Sequence, residues 1–376
     1  MLDVYFLTRN NLLDFESPIQ AKGPPIIATL QDRRNDYDVT NRIQVSSPTA
    51  VRSAVRDIYR ETYPGNSFDA VWLAFHDFER FFNGDEPDYH GVDTAYHDIQ
   101  HTLDTTLALA RLVAGYELSV APKDSLGPER ASLGLITALF HDSGYLRHRY
   151  ADRDYASGAA FTLSHVSRSA NFLTRYLPRI GLEDFSPVAS RIVHFTGCEI
   201  DFDKIELERP KDSILGHLLG TADLIAQLAD RCYLEKCRDR LFPEFILGGI
   251  AIEEVSSGAL VRYRSGRDLL EQTLKYYHNY ARRRLQHDFN GAYRYAEPFF
   301  DGVNPYLAFI ERNLSYLGQV LADKGWDRLR RHPPCAMPDE QGEARLMSLA
   351  LGHIRKLADS RRITLTGGLA RPVLGY

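Results

Sequence analysis

A histidine and an aspartate stand side by side at the end of an apolar run. In "LGLITALFHDSGY", apolar residues at helical spacing lead directly to His141 and Asp142, and Gly144 follows closely. Burying even a neutral polar group without a partner costs roughly 2–7 kcal/mol. The pair therefore requires either hydrogen-bond partners or a metal ion, and other parts of the chain must supply them.

Further residues with metal-binding side chains lie among apolar, helix-like residues. They are His101, His165, His194 and Asp223. Imidazole nitrogen and carboxylate oxygen are ligands that suit zinc, iron and manganese. A carboxylate can also bridge two ions, so a sequential His-Asp pair can serve two adjacent metals. The pattern predicts a site for one or two divalent ions.

In their order along the chain, these residues resemble the metal set of the HD-domain superfamily of metal-dependent phosphohydrolases. The similarity covers about residues 93–235 and includes the local sequences "ALFHDSGY" and "TADLIAQL". The family's ordered set H…HD…D is matched here by His101, His141, Asp142 and Asp223. The resemblance implies an HD-domain helical bundle, and it identifies His165 and His194 with the two additional ligands of the dinuclear branch.

The stretch "YHDIQHTLD" is similar to cyclic nucleotide phosphodiesterases, in which "YHN" precedes a second histidine at the same spacing. This resemblance implies that His97 is the general acid and His101 a metal ligand. Two positions depart from the pattern: Asp98 replaces an asparagine, and Tyr145 replaces a lysine or histidine that often supports the phosphate or the leaving group. The glutamine and phenylalanine that clamp the purine are not found either, so the substrate class stays open.

The resemblance and the ligand types together imply a phosphohydrolase that cleaves a phosphate ester or phosphodiester, which we expect to belong to a nucleotide. Manganese, zinc, magnesium and iron are all candidate cofactors. Two ions bridged by Asp142 would lower the pKa of a shared water and make it a nucleophile near neutral pH. His97 would protonate the departing oxygen. Arg147 and Arg149, just after the metal motif, are placed to meet an anionic substrate.

Other interpretations of the same residues stay open. The six ligands also occur in HD-fold di-iron oxygenases, and a further alternative is a non-catalytic HD-type sensor or scaffold. His141 could simply face the dipole of a helix C-terminus, and Asp223 could pair with Arg231. Arg147 and Arg149 could be plain surface charges. The arginines at 282–284 form either a solvated helix face or a phosphate-binding lip.

Helix signals dominate after residue 47 and predict an all-α protein. Proline begins several predicted helices and glycine ends others, and the helix that carries His97 and His101 is predicted to start near residue 94, capped by Asp93. Another predicted helix runs from residue 211 and ends at Pro243. Three more are predicted at about 265–288, 304–324 and 340–360, with minor strands near the N-terminus or within 245–263 and an irregular tail at 363–376.

We predict four segments: an N-terminal arm (1–46), a helical extension (47–90), a metal-binding catalytic core (91–240) and a C-terminal helical region that packs on it (241–376).

Composition narrows the class of protein. The chain has 376 residues, of which 44% are hydrophobic, which is ample for a sizeable core. A formal charge of −5 does not predict a basic surface that binds nucleic acid. No segment approaches the roughly 20 apolar residues of a membrane span. The N-terminus does not resemble a secretory signal, and four cysteines without a CxxC pair do not make a disulfide framework. We therefore expect a cytoplasmic enzyme that acts on a small phosphorylated molecule, without nucleic-acid or membrane partners; homo-oligomerisation stays open.

Overall fold

The computed structural model describes residues 33–255, 258–334 and 336–360. Within these ranges helices dominate and one two-stranded antiparallel hairpin accompanies them, so the predicted all-α fold is confirmed. In chain order the helices are α1 (Pro48–Thr62), α2 (Asp69–Asn83), α3 (Ile99–Ser119), α4 (Pro128–Phe140), α5 (His165–Tyr176), α6 (Ser186–Ile192), α7 (Pro210–Ala229), α8 (Tyr233–Lys236), α9 (Phe242–Leu247), α10 (Gly266–Tyr276), α11 (Ala296–Phe299), α12 (Pro305–Asp323) and α13 (Gly342–Asp359). The hairpin strands are β1 (Ile252–Val255) and β2 (Gly258–Val261), within the region predicted for minor strands. The predicted tail at 363–376 and most of the predicted arm lie outside the described residues.

Several helix ends follow the sequence signals. Helix α1 begins at Pro48 behind Ser47, whose hydroxyl accepts a hydrogen bond from the backbone of Ala50. Helix α2 ends at Gly84, which takes the left-handed conformation that a glycine adopts without strain. The predicted helix at 265–288 begins as α10 and continues through two wide π-turns, while α12 and α13 match the predictions at 304–324 and 340–360.

The predicted start of the histidine-bearing helix is wrong. Helix α3 begins at Ile99, and its cap is Asp98, whose carboxylate accepts a hydrogen bond from the backbone N–H of His101. Asp93 instead accepts hydrogen bonds from the backbone of Gly158 and from the side chain of Arg147. Because these long-range bonds use the Asp93 side chain, it caps no helix, and the chain reaches α3 through a non-helical segment that contains His97.

The predicted helix that ends at Pro243 is also wrong at its C-terminal end. Helix α7 stops at Ala229, and Asp230 turns the chain away in an extended conformation. A second helical stretch then starts at Tyr233 and passes through Pro243 without ending there. A π-turn at Cys237–Leu241 precedes this proline, and such wide turns accommodate residues that break regular helical hydrogen bonding.

Helices α3 and α7 form the centre of the molecule. Every residue of α3 from Ile99 to Tyr116 is buried, and α7 is the helix it packs against most extensively. One hydrophobic core extends from Val39 near the start of the described chain to Leu357 in α13, and it includes residues from all four predicted segments. No helix in the described ranges is both long enough and apolar enough to cross a bilayer.

Candidate metal centre

Four of the predicted ligands come together in the interior from three different helices. His101 lies in the first turn of α3, His141 and Asp142 directly follow α4, and Asp223 lies in the middle of α7. The Nε2 atom of His101 is 3.1 Å from Asp223 Oδ1 and 3.6 Å from Asp142 Oδ2. The Nε2 atom of His141 is 3.3 Å from Asp142 Oδ2 and 3.7 Å from Asp223 Oδ1. All four side chains are at least nine-tenths buried.

These atoms have the separation expected of ligands around one metal ion. Ligands at about 2.0–2.2 Å from a metal lie about 3.0–3.5 Å from one another. His141 Nε2 and Asp142 Oδ2 are buried and have no hydrogen-bond partner among the described residues. His141 Nδ1 lies 2.7 Å from the carbonyl oxygen of Ala138 and donates to it, which leaves Nε2 free to bind a metal. His101, His141 and Asp142 therefore form a group that could hold a metal ion.

Electrostatics in this cluster favour charged side chains despite their burial. Burial opposes ionisation of Asp142, but His141 beside it holds the pKa of this carboxyl well below its usual range. Burial likewise opposes protonation of His141, yet Asp142 and Asp223 raise its pKa to about 9. The environment of Asp142 and Asp223 therefore favours a positive charge at His141.

The other oxygen of Asp142 faces a third histidine. His165, the first residue of α5, has Nε2 at 3.9 Å from Asp142 Oδ1. Its Nδ1 lies 2.8 Å from the carbonyl oxygen of Thr162, so Nε2 is again the atom free for a ligand. Burial and the nearby His97 lower the pKa of His165, and Asp142 partly opposes them. Asp142 thus has one oxygen on the side of His141 and the other on the side of His165, the arrangement of a bridging carboxylate.

His194 is not brought into this cluster by any hydrogen bond or ion pair in the described part of the chain. It lies half-buried on the short turn Val193–Thr196 after α6, and its buried Nδ1 has no hydrogen-bond partner among the described residues. Burial lowers its pKa, and Glu199 acts in the opposite direction. Glu199 also lies 3.8 Å from His165 Nδ1. The ligand role of His194 stays a prediction.

A carboxylate that the sequence analysis did not identify holds His97. Glu244, from α9, is fully buried, and its Oε2 lies 2.7 Å from His97 Nδ1. The same carboxylate accepts a hydrogen bond from the backbone N–H of Tyr96. Burial alone would lower the pKa of His97, but Glu244 reverses this effect and raises it. The only signal of Glu244 in the sequence is an acidic residue inside the apolar run "LFPEFIL", and that run lies outside the predicted core.

The arginines predicted to meet a substrate are engaged elsewhere in this structure. Arg147 contacts the carboxylate of Asp93 through Nε and Nη2, and its Nη1 donates a hydrogen bond to the carbonyl oxygen of Tyr155. It lines a surface cavity of about 160 Å³ that also includes His90. Arg149 is exposed and contacts His90 at 3.3 Å. Their substrate-binding roles stay predictions.

Other charged residues weighed in the sequence analysis have structural partners. Arg231, the alternative partner of Asp223, donates to Asn35, and each ion pair found for Asp223 in the described chain is with a histidine. In the arginine run, Arg284 is buried and donates to the carbonyl oxygen of Phe195. Its neighbours at 282 and 283 are exposed, as a solvated face requires.

Comparison with known proteins gives no assignment: no family model matches this chain, and no curated protein matches it. The resemblance to HD-domain proteins therefore stays a prediction that depends on the residues described above.

Proposed function

We propose that this protein is a metal-dependent phosphohydrolase that cleaves a phosphate ester or phosphodiester bond, with a nucleotide as the expected substrate. The observation that carries the proposal is the convergence of His101, His141, Asp142 and Asp223. Within it, His141 Nε2 and Asp142 Oδ2 are buried without a hydrogen-bond partner among the described residues. Neutral imidazole and carboxylate ligands in a buried cluster suit a divalent metal rather than an organic cofactor. When bound, such a metal would supply Lewis acidity and a water of lowered pKa.

His97 is proposed as the general acid. Its ring centroid lies 6.0 Å from that of His101, so it borders the ligand cluster without belonging to it. Glu244 fixes Nδ1 at 2.7 Å, which leaves Nε2 as the nitrogen that can exchange a proton with a leaving group. The carboxylate also favours the protonated ring that an acid must begin with.

Asp142 is proposed to bridge two ions. Its two oxygens are directed to different histidines, Oδ2 to His141 and Oδ1 to His165. Because the two oxygens of one carboxylate face different histidines, this geometry supports a two-ion site over a single-ion site. His194 and Glu199 are proposed to complete the second half: His194 has the ligand role that the resemblance implies, and Glu199 lies 3.8 Å from His165 Nδ1.

The test is hydrolysis by protein purified without chelators and then loaded separately with manganese, zinc, magnesium or iron. The substrate panel contains bis(p-nitrophenyl) phosphate, cyclic nucleotides, linear dinucleotides and nucleoside mono-, di- and triphosphates. We expect at least one member to be cleaved, the activity to be lost on chelation and to return with metal. His97→Gln should lower kcat by about 10²–10⁴-fold while metal content is retained. The matched control is His278→Gln, because His278 is exposed.

Two results would contradict the proposal. Metal-loaded protein that cleaves no member of the panel would remove the hydrolase assignment. Two irons per chain together with substrate-dependent oxygen consumption would establish the oxygenase alternative instead.

A further inference from the structure

Tyr145 is buried against the candidate centre at a position where the resembling family has a lysine or histidine. Its side chain is 2% exposed. It closes the short helical turn that follows His141 and Asp142, and its backbone N–H donates to the carbonyl oxygen of Asp142 at 3.0 Å. The segment that supplies two ligands therefore also fixes this aromatic ring.

The ring of Tyr145 lies beneath two imidazoles at once. Its centroid is 4.6 Å from that of His97 and 4.5 Å from that of His165, each with an interplanar angle of 20°. The two imidazole centroids are 5.9 Å apart. Rings stacked on opposite faces of Tyr145 would lie at least about 7 Å apart, since each stacked layer needs about 3.5 Å. Both histidines therefore lie side by side over the same face.

Close backbone contacts keep this ring in place. A Cβ atom at Gly158 would lie 2.0 Å from the carbonyl oxygen of Tyr145, and a Cβ atom at Gly144 would lie 1.8 Å from the carbonyl oxygen of His165. Glycine at these two positions lets the three chain segments approach closely. The relative placement of Tyr145 and His165 is consequently set by the backbone as well as by ring stacking.

We propose that Tyr145 is a positioning residue, an aromatic platform that holds His97 and His165 side by side. The geometry of the platform stands on the ring contacts alone, while its consequence for catalysis rests on the proposed function. The ring, and not the phenol hydroxyl, performs this role.

The deciding experiment measures the ring C–H resonances of His97 and His165 by NMR in the metal-free full-length protein. Protons over an aromatic face are shifted upfield by its ring current, so both histidines should show this shift in the wild type and in Tyr145→Phe. Tyr145→Leu should abolish it. The control Tyr176→Leu removes another fully buried tyrosine ring, far along α5 from His165, and should leave both histidines unchanged. Assignment comes from His97→Gln and His165→Gln.

The same variants are then loaded with manganese for metal stoichiometry and for kcat and KM on any substrate found. Tyr145→Leu should lower kcat by about 100-fold, as a displacement of about 1 Å does, with KM changed less, and Tyr145→Phe should rescue it. Histidine resonances that do not respond to Tyr145→Leu would overturn the platform. Loss of kcat in Tyr145→Phe equal to that in Tyr145→Leu would assign the role to the hydroxyl and overturn the proposal too. A wild type that binds none of manganese, zinc, magnesium and iron would contradict the proposed function only, because the NMR result still decides the platform.

Discussion

Helix α3 passes through two buried clusters of charge that are satisfied in different ways. Near its N-terminus, His101 meets Asp142 and Asp223, and every ion pair found for these two acids in the described chain is with a histidine. Ten residues further along, about 15 Å away, Arg111 pairs with Asp38.

The second cluster is complete in charge within the protein, although the buried Nε atom of Arg111 has no hydrogen-bond partner among the described residues. Arg111 also donates to the hydroxyl of Tyr306 at 2.9 Å, and Asp38 accepts backbone hydrogen bonds from Arg42 and Ile43. Burial opposes ionisation of Asp38, but Arg111 holds its pKa below the usual range. A buried acid with a permanent cation and a full set of donors needs nothing more. The histidine cluster has two acids, no permanent cation in contact with them, and two buried atoms without a hydrogen-bond partner among the described residues. It could therefore hold a cation that the protein itself does not supply.

The largest effect is expected from the ligands themselves. His141→Ala and Asp142→Asn should each abolish metal binding, because each removes a central ligand atom of the buried cluster. Elemental analysis of protein purified without chelators should find near-stoichiometric metal in the wild type and none in either variant. His278→Ala serves as the control and should retain the metal. Wild-type protein that takes up no metal on titration would break the comparison, because both clusters would then be structural.

The next effect should appear in the complete cluster, as a loss of stability without loss of metal. Asp38→Asn leaves the buried guanidinium of Arg111 without its counter-charge, which typically costs about 3–5 kcal/mol. Denaturant unfolding measures the change, and metal content should equal that of the wild type. Asp57→Asn is the matched control, since Asp57 pairs with Arg56 at the surface and such pairs contribute about 1 kcal/mol or less. Equal losses from the two variants would contradict the structural role of Asp38.

The central ligands could be predicted from the sequence because each has a local signal. His141 and Asp142 follow an apolar helix, and His101 and Asp223 lie within apolar runs that must be buried. Their order along the chain resembles the HD-domain metal set, and this resemblance implied that the four side chains meet. The helical fold follows from the same apolar periodicity and from proline and glycine at helix ends.

The rest depends on contacts between distant segments that no local signal reveals. Glu244 reaches His97 across 147 residues, and an isolated acid in an apolar run does not indicate its partner. Asp93 and Asp98 are residues of the same type five positions apart, and the long-range bonds from Arg147 and Gly158 to Asp93 decide which of them caps α3. The aromatic platform is invisible for the same reason, because stacking of Tyr145 on two histidines requires the folded backbone.

A buried acid on α3, Asp104, should reveal its protonation state through the pH dependence of stability. Burial raises the pKa of Asp104 to about 7, with Arg33 and Arg111 opposing and Asp230 and Asp38 adding to the rise. Between about pH 4 and pH 7 the unfolded chain releases this proton and the folded chain keeps it, so stability falls as pH rises, by up to about 1.4 kcal/mol per pH unit. Asp104→Asn should remove this part of the slope. The unfolding free energy of Asp104→Asn minus that of the wild type should therefore increase from pH 5 to pH 8.

A constant difference between wild type and Asp104→Asn over this range would show that Asp104 is ionised in the folded protein. Asp104 would then belong with Asp38 as an acid paired to Arg111, and the complete cluster would contain two charged acids in place of one.

The smallest effect concerns Asp98, which joins the candidate centre to the helix that carries it. Its Oδ1 caps α3 by accepting from the backbone of His101, and its Oδ2 lies 3.6 Å from Arg240. Asparagine caps helices as well as aspartate does, and Arg240 keeps Glu343 as an alternative partner. Asp98→Asn should therefore lower the unfolding free energy less than Asp98→Ala, which should cost about 1–2 kcal/mol through the lost cap. Metal affinity measured on both variants separates the two possibilities: if capping orients His101, only alanine weakens binding, whereas equal weakening would mean that the charge of Asp98 itself acts on the metal cluster.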